Sequence, residues 1–173
     1  MHPCARCASV QRTCCQQAEV VVTAGDVQRI ARHLPPEEVA AGFWERRRPT
    51  DPDYYEPDTE DPNWVRWTIH PDGTRSVLRR RPEGCWFLGE RGCALPEEVR
   101  PLVCRLYPFG FTEQGLQGDE DHYCPKALLA PDGRRMADVL GMKVEDARRW
   151  HEQLYRELRG GWPAGAEQEG RRA

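Results

Sequence analysis

No stretch of the 173 residues approaches the roughly 20 consecutive apolar side chains of a membrane span. The opening Met1-His2-Pro3-Cys4-Ala5-Arg6-Cys7 has no apolar core of the length a secretory signal needs. No membrane association is therefore expected, and the expected location is a reducing cytoplasm. Basic excess is missing as well: the net charge is −3, too little cation to neutralise phosphates over a large footprint, so no nucleic-acid partner is expected. Lysine is nearly absent, with only Lys126 and Lys143 among 25 cationic residues; genome composition explains that bias as readily as ligand chemistry, and no function is read from it. There is no G-x-S-x-G, no H-E-x-x-H and no P-loop, so no nucleophile and base pair can be nominated, and whether the chain is an enzyme stays open. Wholesale disorder is excluded by an apolar share of about 45% when Gly is counted and Tyr is not. The length fits one domain, expected over residues 1–160 with a flexible tail at 161–173.

What remains is punctuated by local signals. Val20-Val21-Val22 is a β-branched run expected to form a short buried strand. Thr23 then stands as an N-cap with Asp26 three residues on, and Val27, Ile30, Ala31 and Leu34 form the stripe of an amphipathic helix ended by Pro35 and Pro36. A second helix is expected through about Arg46, burying Val39, Phe43 and Trp44. Residues 51–61 hold six acids with Pro52 and Pro57 and are read as a solvated loop; their spacing does not match a calcium-binding EF-hand. Residues 64–69 and 74–79 flank His70-Pro71-Asp72-Gly73 and suggest a hairpin. Val144, Ala147, Trp150, His151, Leu154 and Leu158 mark a last helix that stops at Gly160-Gly161. Together these elements give the expected fold class, α+β: a small, metal-organised, loop-rich domain with a few short strands, a hairpin and several helices.

Eight cysteines carry the chemistry. They make up less than about 5% of the chain, below the roughly 8–10% of a disulfide scaffold, and in a reducing compartment thiols at this density point to metal ligation or catalysis. Cys4 and Cys7 form a C-x-x-C, a spacing that lets one tight turn direct two sulfurs at one ion. Cys14 and Cys15 are adjacent and on an extended backbone would face opposite ways, serving two sites or one site and the core. Cys85, Cys93, Cys104 and Cys124 have gaps that match no common finger, yet each has apolar or aromatic neighbours, among them Trp86, Phe87, Tyr107, Phe109 and Tyr123, able to form a dry shell. Arg6, Arg12, Arg91 and Arg105 lie near thiols in sequence and could offset thiolate charge. Of the histidines, His122 is close enough to Cys124 to donate to a sulfur or replace a ligand, whereas His33 and His151 are expected at solvent or a helix end. Asp26 is accounted for by capping and Arg105 by surface exposure.

The order C-x-x-C, Cys-Cys, a strand leading into Thr-x-x-Asp, then C-x-F-L, a Cys, and Arg100-Pro101-Leu102-Val103-Cys104-Arg105-Leu106-Tyr107-Pro108-Phe109 before a last Cys resembles the YkgJ-type family of zinc- or iron-chelating cysteine-cluster proteins, over Cys4 to about Cys124. Six residues separate Cys7 from Cys14, where that family usually has two. The resemblance implies a cytoplasmic bacterial protein whose thiolates chelate zinc or iron, with an iron–sulfur cluster as one form. Some relatives are joined to protein-methylating activity, but this chain has no Gly-rich strand-to-helix turn to hold a methyl donor.

The leading expectation is thus a metal-chelating protein with Cys4, Cys7, Cys14, Cys15, Cys85, Cys93, Cys104 and Cys124 as ligands to zinc or iron. The alternative is an iron–sulfur enzyme or electron-transfer accessory, since all-sulfur ligation fits both. A thiol–disulfide oxidoreductase built on Cys4 and Cys7 is a weaker third, because no βαβ pattern surrounds them. Beyond the metal, no protein partner is indicated.

Overall fold

The computed structural model describes residues 6, 7, 10–57, 59–119 and 123–163. Its architecture is α+β, made of short helices and antiparallel two-stranded pairs, with no barrel among the described residues. Each element starts on a local signal. Helix α1 (Cys14–Gln17) opens where Gln16 Oε1 accepts from the Thr13 N–H at 2.9 Å. Helix α2 (Ala24–His33) opens on a reciprocal capping box: Thr23 Oγ1 accepts from the Asp26 N–H at 2.9 Å, and Asp26 Oδ2 accepts from the Thr23 N–H at 3.1 Å. Its stripe falls as the sequence requires, with Ile30 buried and Arg32 and His33 exposed in the last turn.

Helix α3 (Pro36–Ala41) starts on a proline, whose missing N–H costs nothing at the first helical position. It ends at Ala41 and does not run on to Arg46. Gly42 turns the chain at φ +74°, and strand β1 (Trp44–Arg47) follows, because pairing and burial of Trp44 outweigh the local helical pattern. The strand that β1 meets is β2 (Arg75–Leu78), in the register Trp44↔Leu78 to Arg47↔Arg75. Val21 bridges Val77 on the far edge of β2, so the expected Val20–Val22 strand is reduced to one ladder step between the bonds Val22 N–H to Ser76 O and Leu78 N–H to Val20 O.

The expected hairpin over 64–69 and 74–79 is corrected. Its turn exists, with Gly73 at φ +76° and its N–H bonded to His70 O, but residues 62–68 form helix α4 (Pro62–Thr68). Pro62 at the first helical position starts it, and Trp64 and Trp67, three residues apart, share a face that packs on Tyr155 with ring centroids 6.3 and 6.0 Å away. The second arm survives as β2, with β1 in place of the expected partner.

After β2 the chain makes two minimal hairpins, β3 (Arg80–Arg81) with β4 (Gly84–Cys85) and β5 (Leu88–Gly89) with β6 (Gly92–Cys93). Helix α5 (Leu102–Leu106), the pair β7 (Phe109–Thr112) and β8 (Gly115–Asp119), and helices α6 (Lys126–Leu129), α7 (Met136–Val139) and α8 (Val144–Gly160) follow. The long helix buries Ala147, His151, Leu154, Tyr155 and Leu158 in a core shared with Leu102, Leu106 and Phe109. Burying one such leucine is worth about 1.5–3 kcal/mol, so α8 is a principal support of α5.

His151 is one more correction: it is 8% exposed, and its Nε2 lies 2.7 Å from Thr112 O, because it falls on the same face as Ala147 and Leu154. Helix α8 ends at Gly161, φ +64°, after which Trp162 stacks on Trp44 at 4.9 Å; the rest of the expected tail lies outside the described residues. Among the described residues no helix is long and apolar enough to cross a membrane.

Candidate metal centre

The two minimal hairpins present their cysteines alike. In each, a glycine precedes the thiol-bearing residue, and the amide two positions on, Phe87 N–H for Cys85 and Leu95 N–H for Cys93, hydrogen-bonds the sulfur. Amide donors aimed at sulfur favour a thiolate over a thiol. Gly84, at φ +145°, lets β4 close on α1: a Cβ there would stand 2.8 Å from the Cys15 carbonyl oxygen. Only glycine permits that approach. Arg80 fixes the same joint from the other side, its guanidinium donating to Ala18 O at 2.7 Å and Gln16 O at 2.6 Å.

Cys15, Cys85 and Cys93 pack in one core cluster around this joint, and Cys104 lies within electrostatic reach of all three. Burial pushes Cys85 up to about 11, with the Phe87 amide acting the other way and the charges of Cys15 and Cys93 adding to the rise. Cys93 is raised first by burial, against its Leu95 amide and Arg100, and again by Cys15. Cys104, on α5, goes well above the ordinary thiol range through burial and then through Cys15, Cys85 and Cys93. Cys15 moves the opposite way, to about 7, because the Cys14 thiol hydrogen-bonds it and Arg100 and Arg80 lie near enough to outweigh burial. Four thiols that feel one another's charge, three of them destabilised as isolated thiolates, are what a cation would relieve.

Asp26 ties this set to the rest of the fold. The carboxylate is fully buried, its Oδ1 accepts from the Leu102 N–H at 3.0 Å, and Arg29 pairs with it at 2.6 Å and with Glu157 of α8 at 2.5 Å. Thr23 also donates to Glu157. Asp26 therefore closes the first turn of the helix that carries Cys104 as well as capping its own, a long-range role beyond the expected capping. Burial raises Asp26 above the ordinary carboxyl range despite the Thr23 amide and Arg29. Arg105 is buried, not exposed as expected: its Nε donates to Arg100 O at 2.8 Å and its Nη2 to Glu98 O, since the turn before α5 leaves carbonyls that need donors.

Two further thiols, Cys14 and Cys124, lie near the aromatic pair Tyr107 and Tyr123, whose ring centroids are 6.2 Å apart. Cys7 and Cys124 share a small apolar cluster with Leu129, Ala130 and Met136. Tyr107 Oη is 3.2 Å from Cys124 Sγ and within electrostatic reach of Cys14. Burial raises Cys7, which also bonds the Gln11 side chain and feels Cys15. Cys14 thus stands at the junction between the two gatherings. Cys4 and His122 lie outside the described residues.

Spacing along the chain left open which cysteines share a site; in the fold Cys15, Cys85 and Cys93 pack in one core cluster, and Cys124 lies beside Tyr107. Of the nominated charge partners, Arg12 donates to Gln16 O at 3.1 Å and Arg6 to Leu128 O at 3.0 Å, whereas the guanidiniums beside the four-thiol set belong to Arg80 and Arg100. Arg100 was legible as part of the Arg-Pro-x-x-Cys run; nothing local singles out Arg80.

The described cysteines carry no disulfide. Among the described residues no three His, Cys, Asp or Glu side chains already stand at ligand spacing. The donor set is nonetheless the soft, all-sulfur kind that zinc and iron take, with amide and guanidinium donors around it.

A family model, CxxCxxCC, whose description reads "Putative zinc- or iron-chelating domain", matches residues 3–125. Comparison with curated proteins and with solved structures gives no match.

Proposed function

The chain belongs to the CxxCxxCC family, and on that premise we propose that it holds zinc or iron on its cysteine thiolates in two groups. The first is Cys15, Cys85, Cys93 and Cys104; the second is Cys4, Cys7, Cys14 and Cys124. The observation that carries the reading is the packing of Cys15, Cys85 and Cys93 in one core cluster, closed by the approach of Gly84 to the Cys15 carbonyl, with Cys104 on the neighbouring α5. A bound ion supplies positive charge that stabilises the thiolates and a link that ties these segments together. The protein's own groups do the rest. Phe87 and Leu95 amides orient Cys85 and Cys93, Arg100 and Arg80 offset charge at Cys15, and Asp26 fixes the helix of Cys104. Free thiols of this kind suit a reducing compartment such as the cytoplasm.

An iron–sulfur redox protein is the second reading, favoured by the same all-cysteine donor set. The test measures zinc, iron and acid-labile sulfide per chain in protein purified without oxygen. Stoichiometric zinc in colourless protein selects the chelating form, and iron with sulfide and visible absorbance selects the redox form. Each of Cys15→Ser, Cys85→Ser, Cys93→Ser and Cys104→Ser is expected to lower metal content. A chain free of both metals, or content unmoved by all four variants, overturns the proposal.

A further inference from the structure

Tyr107 follows α5 directly, three residues after Cys104. One short segment therefore sends a thiol into the first sulfur group and a phenol toward the second. The Tyr107 hydroxyl is 3.2 Å from Cys124 Sγ, inside hydrogen-bond range for sulfur. Its ring is half-buried and packs on Tyr123. We propose that Tyr107 is a positioning residue for Cys124, donating its O–H to the thiolate and so setting where that sulfur points and how much charge it gives a bound ion. This rests on the reading of Cys124 as a metal ligand.

The direction of the bond follows from the chemistry. A thiolate has no proton and can only accept, so the Tyr107 O–H is the donor. Cys85 and Cys93 receive the corresponding donation from the Phe87 and Leu95 amides. The Tyr107 donation to Cys124 comes from a side chain, so that bond can be removed with one atom. Groups that orient a ligand from behind typically change metal affinity about 10–100-fold when removed.

The test is Tyr107→Phe, which keeps the ring and deletes the hydroxyl, with far-UV circular dichroism as the check on folding. Metal affinity is read by competition with a chelator, and the thiolate-to-metal charge-transfer band is read in cobalt-substituted protein. The expected result is a loss of affinity of about 10–100-fold with a shift of the band. The same substitution in a Cys124→Ser background should cause no further loss, whereas in a Cys104→Ser background the loss should persist. An unchanged affinity and band in Tyr107→Phe overturns the inference while leaving the two-group reading standing. An equal loss in the Cys124→Ser background also overturns it, by showing that Tyr107 acts through packing. A wild-type chain that binds no metal overturns the reading of Cys124 as a ligand, and this inference with it.

Discussion

Replacing Asp26 with alanine should destabilise the protein and weaken the four-thiol group together, because one carboxylate serves two helix starts. Its Oδ2 accepts from the Thr23 N–H and its Oδ1 from the Leu102 N–H and from Arg29. Loss of the acceptor leaves the Leu102 amide buried without a partner, a cost of about 1–3 kcal/mol. Loss of the carboxylate half of the capping box on α2 adds roughly 0.5–2 kcal/mol. Arg29 keeps Glu157 at 2.5 Å, so its charge is not stranded and no full buried-pair penalty applies. Removing a buried charge returns part of the cost, and the net expectation is about 2–4 kcal/mol. For a chain of this size that lowers Tm by about 4–16 °C. The assay is urea and thermal unfolding of metal-bound and metal-stripped protein, with chelator competition on the same samples. Asp26→Asn retains one acceptor oxygen and should lose less than alanine. A change under about 0.5 kcal/mol in both forms would refute the reasoning, and so would normal stability with normal metal affinity. Normal stability with lost affinity would place Asp26 near the metal in a way these contacts do not explain.

Other outcomes follow from the same contacts. Metal removal under reducing conditions should raise amide exchange most in residues 84–95 and 102–106, short elements that carry Cys85, Cys93 and Cys104, and exchange unchanged there would contradict the two-group reading. Arg75 is 2% exposed, lies 3.8 Å over the Tyr54 ring and bonds Glu19 at 3.0 Å. Arg75→Met should cost about 1–3 kcal/mol, measured by urea unfolding, less than a fully stranded charge because Arg47 still holds Glu19 at 3.2 Å. Glu19 itself would be pushed up by burial, but the Arg75 bond and charge, with Arg47, hold it below its ordinary value of 4.5. A lowered carboxyl stabilises the fold above its unfolded value and loses that contribution as pH falls through the folded one. The stability gap between wild type and Glu19→Gln should therefore narrow as pH drops below about 4.5; a gap that widens on acidification would reverse the assignment. Leu154→Ala, in the core beneath α5, should cost about 2–5 kcal/mol by thermal unfolding.

Where local chemistry set the structure, it was readable in advance. The Thr23 capping box, the Ile30 stripe, the restart at Pro36 and the apolar face of α8 depend on residues within a turn or two of one another, and they fall where spacing put them. The family too was legible, because Cys-x-x-Cys, Cys-Cys and Arg100-Pro101-Leu102-Val103-Cys104 are linear patterns. The failures share one cause, partners far away in sequence. Residues 64–69 have strand-like composition but become helical under Pro62, with two tryptophans finding Tyr155; residues 44–47 leave a helical pattern to pair with β2. His151 and Arg105 look like surface groups until Thr112 and the carbonyls of Glu98 and Arg100 supply their bonds.

The sequence by itself determined the family and which eight residues carry sulfur, since side-chain type is fixed before folding. Which thiols stand together was decided only in three dimensions. A glycine at 84 admits the Cys15 carbonyl, Asp26 reaches across to Leu102, and Tyr107 turns toward Cys124, all contacts across many residues of chain that spacing along it does not encode.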